Sequence, residues 1–165
     1  WQTLFTFRYD GAAPSNPTSV IETHGAGNNT WQGTVSDPAF TWSGASDGSG
    51  SGIAGYDVYW GTNPTGTSST WRTSASYDPG AVTSPSVYYL RVQTKDNLGN
   101  ESGWQTLFTF RYDPAAAESE YRERLVRWEA AAAKAKAAGR KAPRKPAKAG
   151  PPRANQNHPA SLYTG

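Results

Sequence analysis

Between residues 11 and 113 the apolar positions alternate with polar ones over short runs, and turn-forming residues separate the runs. A two-residue period of this kind is that of half-buried antiparallel strands. Residues 18–23 form a first predicted strand, followed by the turn-rich Gly25-Ala-Gly-Asn-Asn29. Residues 39–42 place Phe40 and Trp42 on one face. After the Gly/Ser loop of residues 43–52, Tyr56, Val58 and Trp60 share a face while Asp57 and Tyr59 take the other. Residues 67–74 and 87–95 come next, the latter pointing Tyr88, Leu90, Val92 and Thr94 inward against Tyr89, Arg91 and Gln93. In the last strand Phe108, Phe110 and Tyr112 oppose Leu107, Thr109 and Arg111. No helix of useful length fits in this region, so it reads as an all-β antiparallel sandwich of about seven strands.

At Asp113 the period changes. Asp113-Pro114 is an N-cap followed by proline at the first helical position, and residues 115–138 are strong helix formers. Glu118–Arg122, Glu120–Arg124 and Glu123–Arg127 are i,i+4 pairs in the favourable order, each contributing about 0.3 kcal/mol. Tyr121, Leu125, Trp128 and Ala132 form one narrow apolar stripe, too thin for a bundle core but wide enough to dock on a sheet or a partner helix. Lys134 and Lys136 suit the negative end of the helix, and Gly139 can end it. From Arg140 onward Lys, Arg, Pro, Ala and Gly dominate, a composition that reads as an extended or flexible tail. The chain therefore divides into four segments: residues 1–10, the sandwich of residues 11–113, an amphipathic helix over 114–139 and a basic tail over 140–165.

The net charge of +3 averages very different parts. Residues 1–113 hold five basic and nine acidic side chains, whereas residues 134–165 hold eight basic ones and no acid: Lys134, Lys136, Arg140, Lys141, Arg144, Lys145, Lys148 and Arg153. Such asymmetry marks a tail with a separate role. Cysteine is absent, which excludes disulfides, zinc–thiolate sites and thiol chemistry. No apolar run approaches the roughly 18 residues of a membrane span.

The first ten residues, Trp1-Gln-Thr-Leu-Phe-Thr-Phe-Arg-Tyr-Asp10, return unchanged as Trp104 to Asp113. The offset is the length of one small β-sandwich, so the chain reads as part of a tandem array. Residues 1–10 then have the sequence of a closing strand. Left alone they expose Phe5, Phe7 and Tyr9, with Trp1 ahead of them, an apolar stripe that water disfavours by about 25 cal/mol per Å². Either they close a preceding repeat, or they insert into the sheet of another copy where Phe108, Phe110 and Tyr112 would otherwise lie. Head-to-tail insertion does not close on itself and builds a filament of copies of the chain.

Gly55-Tyr-Asp-Val-Tyr-Trp-Gly61, Tyr88-Tyr-Leu-Arg-Val-Gln-Thr-Lys-Asp96 and the hairpin Asn97-Leu-Gly-Asn-Glu-Ser-Gly-Trp104 together resemble a bacterial fibronectin type III or immunoglobulin-like extracellular repeat over roughly residues 14–113. The resemblance implies a corner hydrogen bond from Tyr88 and a core position for Trp42. It also implies a spacer or adhesive role outside the cell. An Arg-Gly-Asp attachment tripeptide is absent, so integrin-type binding is not implied.

Candidate chemistry is sparse. His24 and His158 have no local partners that suggest a triad, and His24 reads as an exposed residue near a loop. No enzymatic activity is expected. Asp47, Asp96, Asn97 and Asn100 fall in loops that can meet at one end of the sandwich, where oxygen ligands suit calcium; Asp and Asn equally serve turn geometry. Trp31, Tyr59, Trp71 and Tyr89 remain for the surface, either as a platform that stacks sugars or as contacts between modules. The basic tail suits an anionic partner: cell-wall polymer, acidic polysaccharide or the acidic sandwich of a neighbouring copy. Nucleic acid is not expected, since interleaved aromatics and a folded reader are both missing. Three functions remain open: a structural or adhesive repeat that assembles by strand addition, a carbohydrate-binding module, and a linker region ahead of an effector domain.

Overall fold

In a computed structural model of the protein, residues 1–148 are described; Arg153 and His158 lie outside the described residues. Eight strands precede one helix: β1 (Ser19–Glu22), β2 (Trp31–Gln32), β3 (Phe40–Ser43), β4 (Ile53–Gly61), β5 (Thr70–Arg72), β6 (Ser76–Tyr77), β7 (Ser86–Asp96), β8 (Gln105–Tyr112) and α1 (Pro114–Ala137). They form a three-stranded sheet in the order β1-β3-β6 and a five-stranded sheet in the order β2-β8-β7-β4-β5. Every pairing is antiparallel except that of β2 with β8. The architecture is a β-sandwich followed by a helix, as the alternation of apolar residues predicts.

The two sheets close over aromatic residues. Phe40 of β3 meets Trp60 at 5.3 Å and Phe108 at 5.2 Å between ring centres, and Trp42 packs edge-on against Tyr56 at 5.3 Å. Leu90, Val92 and Phe110 are fully enclosed beneath them. A small domain buries a limited area, and large rings raise the apolar surface removed per residue. Tyr88 stacks on Trp60, and its hydroxyl donates to the Ser84 carbonyl at 3.0 Å, the corner bond that the resemblance implies.

Several details depart from the strand reading. β2 and β6 are two-residue strands with too few positions to show a period, and only the middle of residues 67–74 is strand. Alternation puts Leu107 on the outer face, yet it is buried, because the β7–β8 register slips between Leu90 and Arg91 and turns it inward. Residues 1–10 form no strand at all, and Trp1, Leu4, Phe5, Phe7 and Tyr9 are exposed.

The strands define two poles. β8 starts beside the β7–β8 hairpin and runs about 24 Å at the usual rise of a strand before reaching Tyr112. At the hairpin end Gly99 sits at φ +86°, which a side chain would strain. The chain enters the sandwich at this hairpin pole and leaves it at the opposite one.

Candidate functional site

The entrance pole is assembled from three segments far apart in sequence. Asp10 Oδ1 accepts from the Ala12 amide at 3.1 Å, and its Oδ2 accepts from the Ser51 amide at 2.7 Å. Asp47 Oδ2 accepts from the Gly52 amide at 2.7 Å. Asp96 Oδ1 accepts from the Leu98 and Asn100 amides at 2.9 and 2.8 Å, and the Asn100 side chain donates to its Oδ2 at 2.7 Å. Burial pushes the Asp96 carboxyl up, but the hydrogen bonds from Asn100 and Leu98 outweigh burial and hold it below the ordinary carboxylate value.

One oxygen from each of Asp10, Asp47 and Asp96 lies within 4.8 Å of the others, an arrangement that could hold a metal ion. Three oxygens fall short of the six to eight that calcium takes. Asn97 and Asn100 turn their amide groups toward Ser51, Asp96 and Asp10 as donors, so each braces a loop. Of the calcium candidates, the fold brings together Asp47 and Asp96. It adds Asp10, which sequence reasoning missed although the signal was present: Asp10 repeats Asp113, and a residue at the end of a closing strand stands where one module meets the next.

Beyond Asp10 the incoming chain is stitched to the same pole. Ser15 donates through both its amide and its hydroxyl to the Ser46 carbonyl, at 2.7 and 3.0 Å, and Ser46 returns a bond to the Ser15 hydroxyl at 3.0 Å. Asn16 Oδ1 accepts from the Thr94 amide, the Thr94 hydroxyl and the Ser102 hydroxyl at 3.1, 2.9 and 2.7 Å. Pro14 and Pro17 are buried. Only residues 11–13 remain between Asp10 and these anchors.

The outer face of the five-stranded sheet carries all four surface aromatics expected from the sequence. Trp31 stands opposite Arg111, whose guanidinium lies 5.5 Å from the indole, and is half exposed. Trp71 packs against β4: a Cβ at Gly55 would come within 2.6 Å of the indole. Its outward ring is 40% exposed, with the Lys95 ammonium 5.9 Å from its centre. Lys95 bridges Glu101 at 2.6 Å and Asp57 at 2.9 Å, and these two partners raise its pKa. Tyr59 is engaged inside the domain, its ring against Gly66 and its hydroxyl accepting from the Asn63 amide at 3.1 Å. Tyr89, opposite Gly61, is half-buried. Of the four rings, Trp31 and Trp71 are the exposed ones, so a stacking surface does not span all four.

At the exit pole the Asp113 amide donates to the Gln32 carbonyl at 2.9 Å, and Asp113 Oδ1 caps α1 by accepting from the Ala115 amide at 2.9 Å. Gly33 leaves no room for a Cβ, which would meet the Asp113 carbonyl and the Pro114 and Ala117 backbone. Glu118–Arg122 and Glu123–Arg127 close at 3.4 and 3.6 Å. Gly139, at φ +66°, ends the helix while the Arg140 amide donates to the Ala135 carbonyl at 2.8 Å.

Tyr121, Leu125 and Trp128 are half-buried along one stripe, as their spacing requires. Within this chain the stripe meets the segment that follows the helix. Residues 140–148 fold back along α1: Trp128 Nε1 donates to the Pro143 carbonyl at 2.8 Å, Lys145 lies 5.8 Å from the Trp128 ring, and Lys148 pairs with Glu118 at 2.9 Å. An indole N–H and a carboxylate on the helix offer what a Pro- and Lys-rich segment can bind, so this strap, part of the tail, has partners within the chain. Hydrogen bonds and charge from Lys148 and Arg122 hold the Glu118 carboxyl below its ordinary value despite some desolvation.

His24 is 42% exposed at its side chain, with Nδ1 2.6 Å from the Asp37 carbonyl, in line with the loop-side position read from the sequence. Neighbouring Glu22 is buried and accepts from the His24, Ala26 and Ala39 amides, which makes it a brace for the β1–β2 loop.

No family model matches the chain, and no solved structure matches it significantly. One curated protein is similar to part of it. Exoglucanase B of Cellulomonas fimi is 37% identical over 93 residues, which make up 56% of this chain and 7% of the exoglucanase. The chain spans less than a tenth of that relative's length. A stretch of that size accords with a single module and with the sandwich fold.

Proposed function

We propose that the sandwich is a non-catalytic fibronectin type III-like module that spaces the parts of a secreted protein acting on polysaccharide. The observation that carries this reading is the placement of the two decapeptide copies. Asp10 lies at the entrance pole and its twin Asp113 at the exit pole, so copies joined through this decapeptide run end to end. End-to-end modules provide reach and repeated contact and need no chemical centre of their own. Similarity to part of an exoglucanase supports a parent of that kind. Among the described residues no helix is long and apolar enough to cross a membrane.

Extending the chain at its N-terminus with a second copy of residues 11–103, so that Trp1–Asp10 completes it, tests the reading. A second sandwich with the stability of the first is expected, and Trp1, Phe5 and Phe7 should become protected from solvent. Continued exposure of those residues would defeat it. Assembly by strand addition requires a slot, and in this chain β8 already fills it; polymerisation of the unextended chain, seen by light scattering, would favour that route instead.

A second reading, contact with carbohydrate, rests on the exposed indoles of Trp31 and Trp71. An exposed indole offers an apolar face on which a sugar ring can stack. Retention of the protein on insoluble β-glucan, strongly reduced when Trp31→Ala and Trp71→Ala are combined, would establish it. Equal retention of both proteins would remove it.

A further inference from the structure

We infer that Asp10 is a molecular lock holding consecutive sandwiches at a fixed angle, its partner being the exit pole of the sandwich that Trp1–Asp10 closes. The inference rests on the tandem reading and names the joint that reading leaves open.

Its basis is that both copies of the aspartate make the same local bond. Asp113 Oδ1 accepts from the amide two residues ahead, Ala115, and Asp10 Oδ1 accepts from the amide two residues ahead, Ala12. In each copy this turns the chain sharply as it leaves the closing strand. Asp113 shows what the backbone does at an exit pole: its amide is bound by the Gln32 carbonyl, and Gly33 lies against its carbonyl. Asp10 shows what the remaining carboxylate oxygen does at an entrance pole, where Oδ2 is bound by the Ser51 amide at 2.7 Å, and the Asn100 side chain donates to the Asp10 carbonyl at 3.4 Å.

Superposed in one joint, the bonds of the amide and of the two carboxylate oxygens do not compete. The amide of the aspartate belongs to the sandwich behind it, Oδ1 to its own turn and Oδ2 to the sandwich ahead. The free backbone is then residues 11–13, because Pro14 is buried and Ser15 is doubly bound to Ser46. A three-residue link between two anchored ends permits few relative orientations. Aspartate suits the position better than asparagine, which has one side-chain acceptor oxygen where the joint uses two.

The same N-terminally extended protein provides the test. It contains no cysteine, so Thr41→Cys in each sandwich, an exposed site in the middle of β3, takes one spin label per module. Electron–electron double resonance should give one narrow distance distribution. Asp10→Ala should at least double its width, Asp10→Asn should fall between, and both variants should melt as the parent does. A parent distribution as broad as that of Asp10→Ala would overturn the lock. So would a distribution that is narrow only with added calcium, since Asp10, Asp47 and Asp96 would then act as metal ligands and not as hydrogen-bond acceptors. Failure of the added residues to fold against Trp1–Asp10, visible as a missing second sandwich on melting, would defeat the tandem reading itself and is distinguishable from a loose joint between two folded modules.

Discussion

Trp1–Asp10 and Trp104–Asp113 are the same ten residues in opposite circumstances. In the second copy Phe108, Phe110 and Tyr112 are almost completely buried, whereas Phe5, Phe7 and Tyr9 in the first are 75% or more exposed. The difference cannot come from local propensity, which is identical. It comes from whether β7 is alongside: β8 pairs with β7 from Ser86 to Val92, and the rings go with the backbone into the core. A strand sequence supplies one face and one edge, and a sheet must supply the other.

The largest effect that bears on this contrast is in the core. Phe110→Ala should destabilise the 165-residue chain by about 3–5 kcal/mol in chemical denaturation, because it empties a fully enclosed ring site. Phe7→Ala, the same change in the first copy, should leave its stability unaltered. In the extended protein the two substitutions should become equally costly, each to its own sandwich; inequality there would mean that the first copy is not a closing strand.

A second pair of substitutions distinguishes the segments downstream of the two decapeptides. Asp113→Ala removes the cap of α1 and should weaken the helix by about 1 kcal/mol, read as lost helical circular dichroism. Asp10→Ala should leave that signal unchanged, because after Asp10 the chain runs Gly-Ala-Ala-Pro and after Asp113 it runs Pro-Ala-Ala-Ala. Proline at the first helical position favours a helix, whereas proline four residues on forbids one from continuing.

The smallest effect concerns the strap on α1. The lowered pKa of Glu118 means that its pairing with Lys148 is fully present above the ordinary carboxylate value and lost as pH falls through the depressed one. The contribution of Trp128 to the emission should therefore shift toward the solvent-exposed form as pH falls below the ordinary carboxylate range. In Glu118→Gln the shift should disappear, while Phe110 and the sandwich core remain folded at that pH.

Much of the sandwich is legible in the sequence. The parity of Tyr56, Val58, Leu90, Val92, Phe108 and Phe110 comes from alternation alone, since a strand with one wet face must put every second residue inside. The cap at Asp113, the stop at Gly139 and the stripe of Tyr121, Leu125 and Trp128 come from helix geometry in the same way. β2 and β6 are not legible, because two residues have no period and both are held by neighbours already in place. Leu107 escapes the pattern because a bulge shifts parity by one, and nothing in its own sequence marks the slip. Tyr59 has the spacing of free surface because the loop that covers it returns from residues 63–66 only after folding.

By itself, then, the sequence determined which residues face inward, where the helix starts and stops, and that one decapeptide serves twice, since these depend on spacing along the chain. Tertiary structure alone decided that Asp10 meets Asp47 and Asp96, that Trp71 packs on Gly55, and that residues 140–148 return to Trp128. Each of these joins groups separated along the chain, and such contacts depend on the summed geometry of the segments between them, which no local pattern of residues encodes.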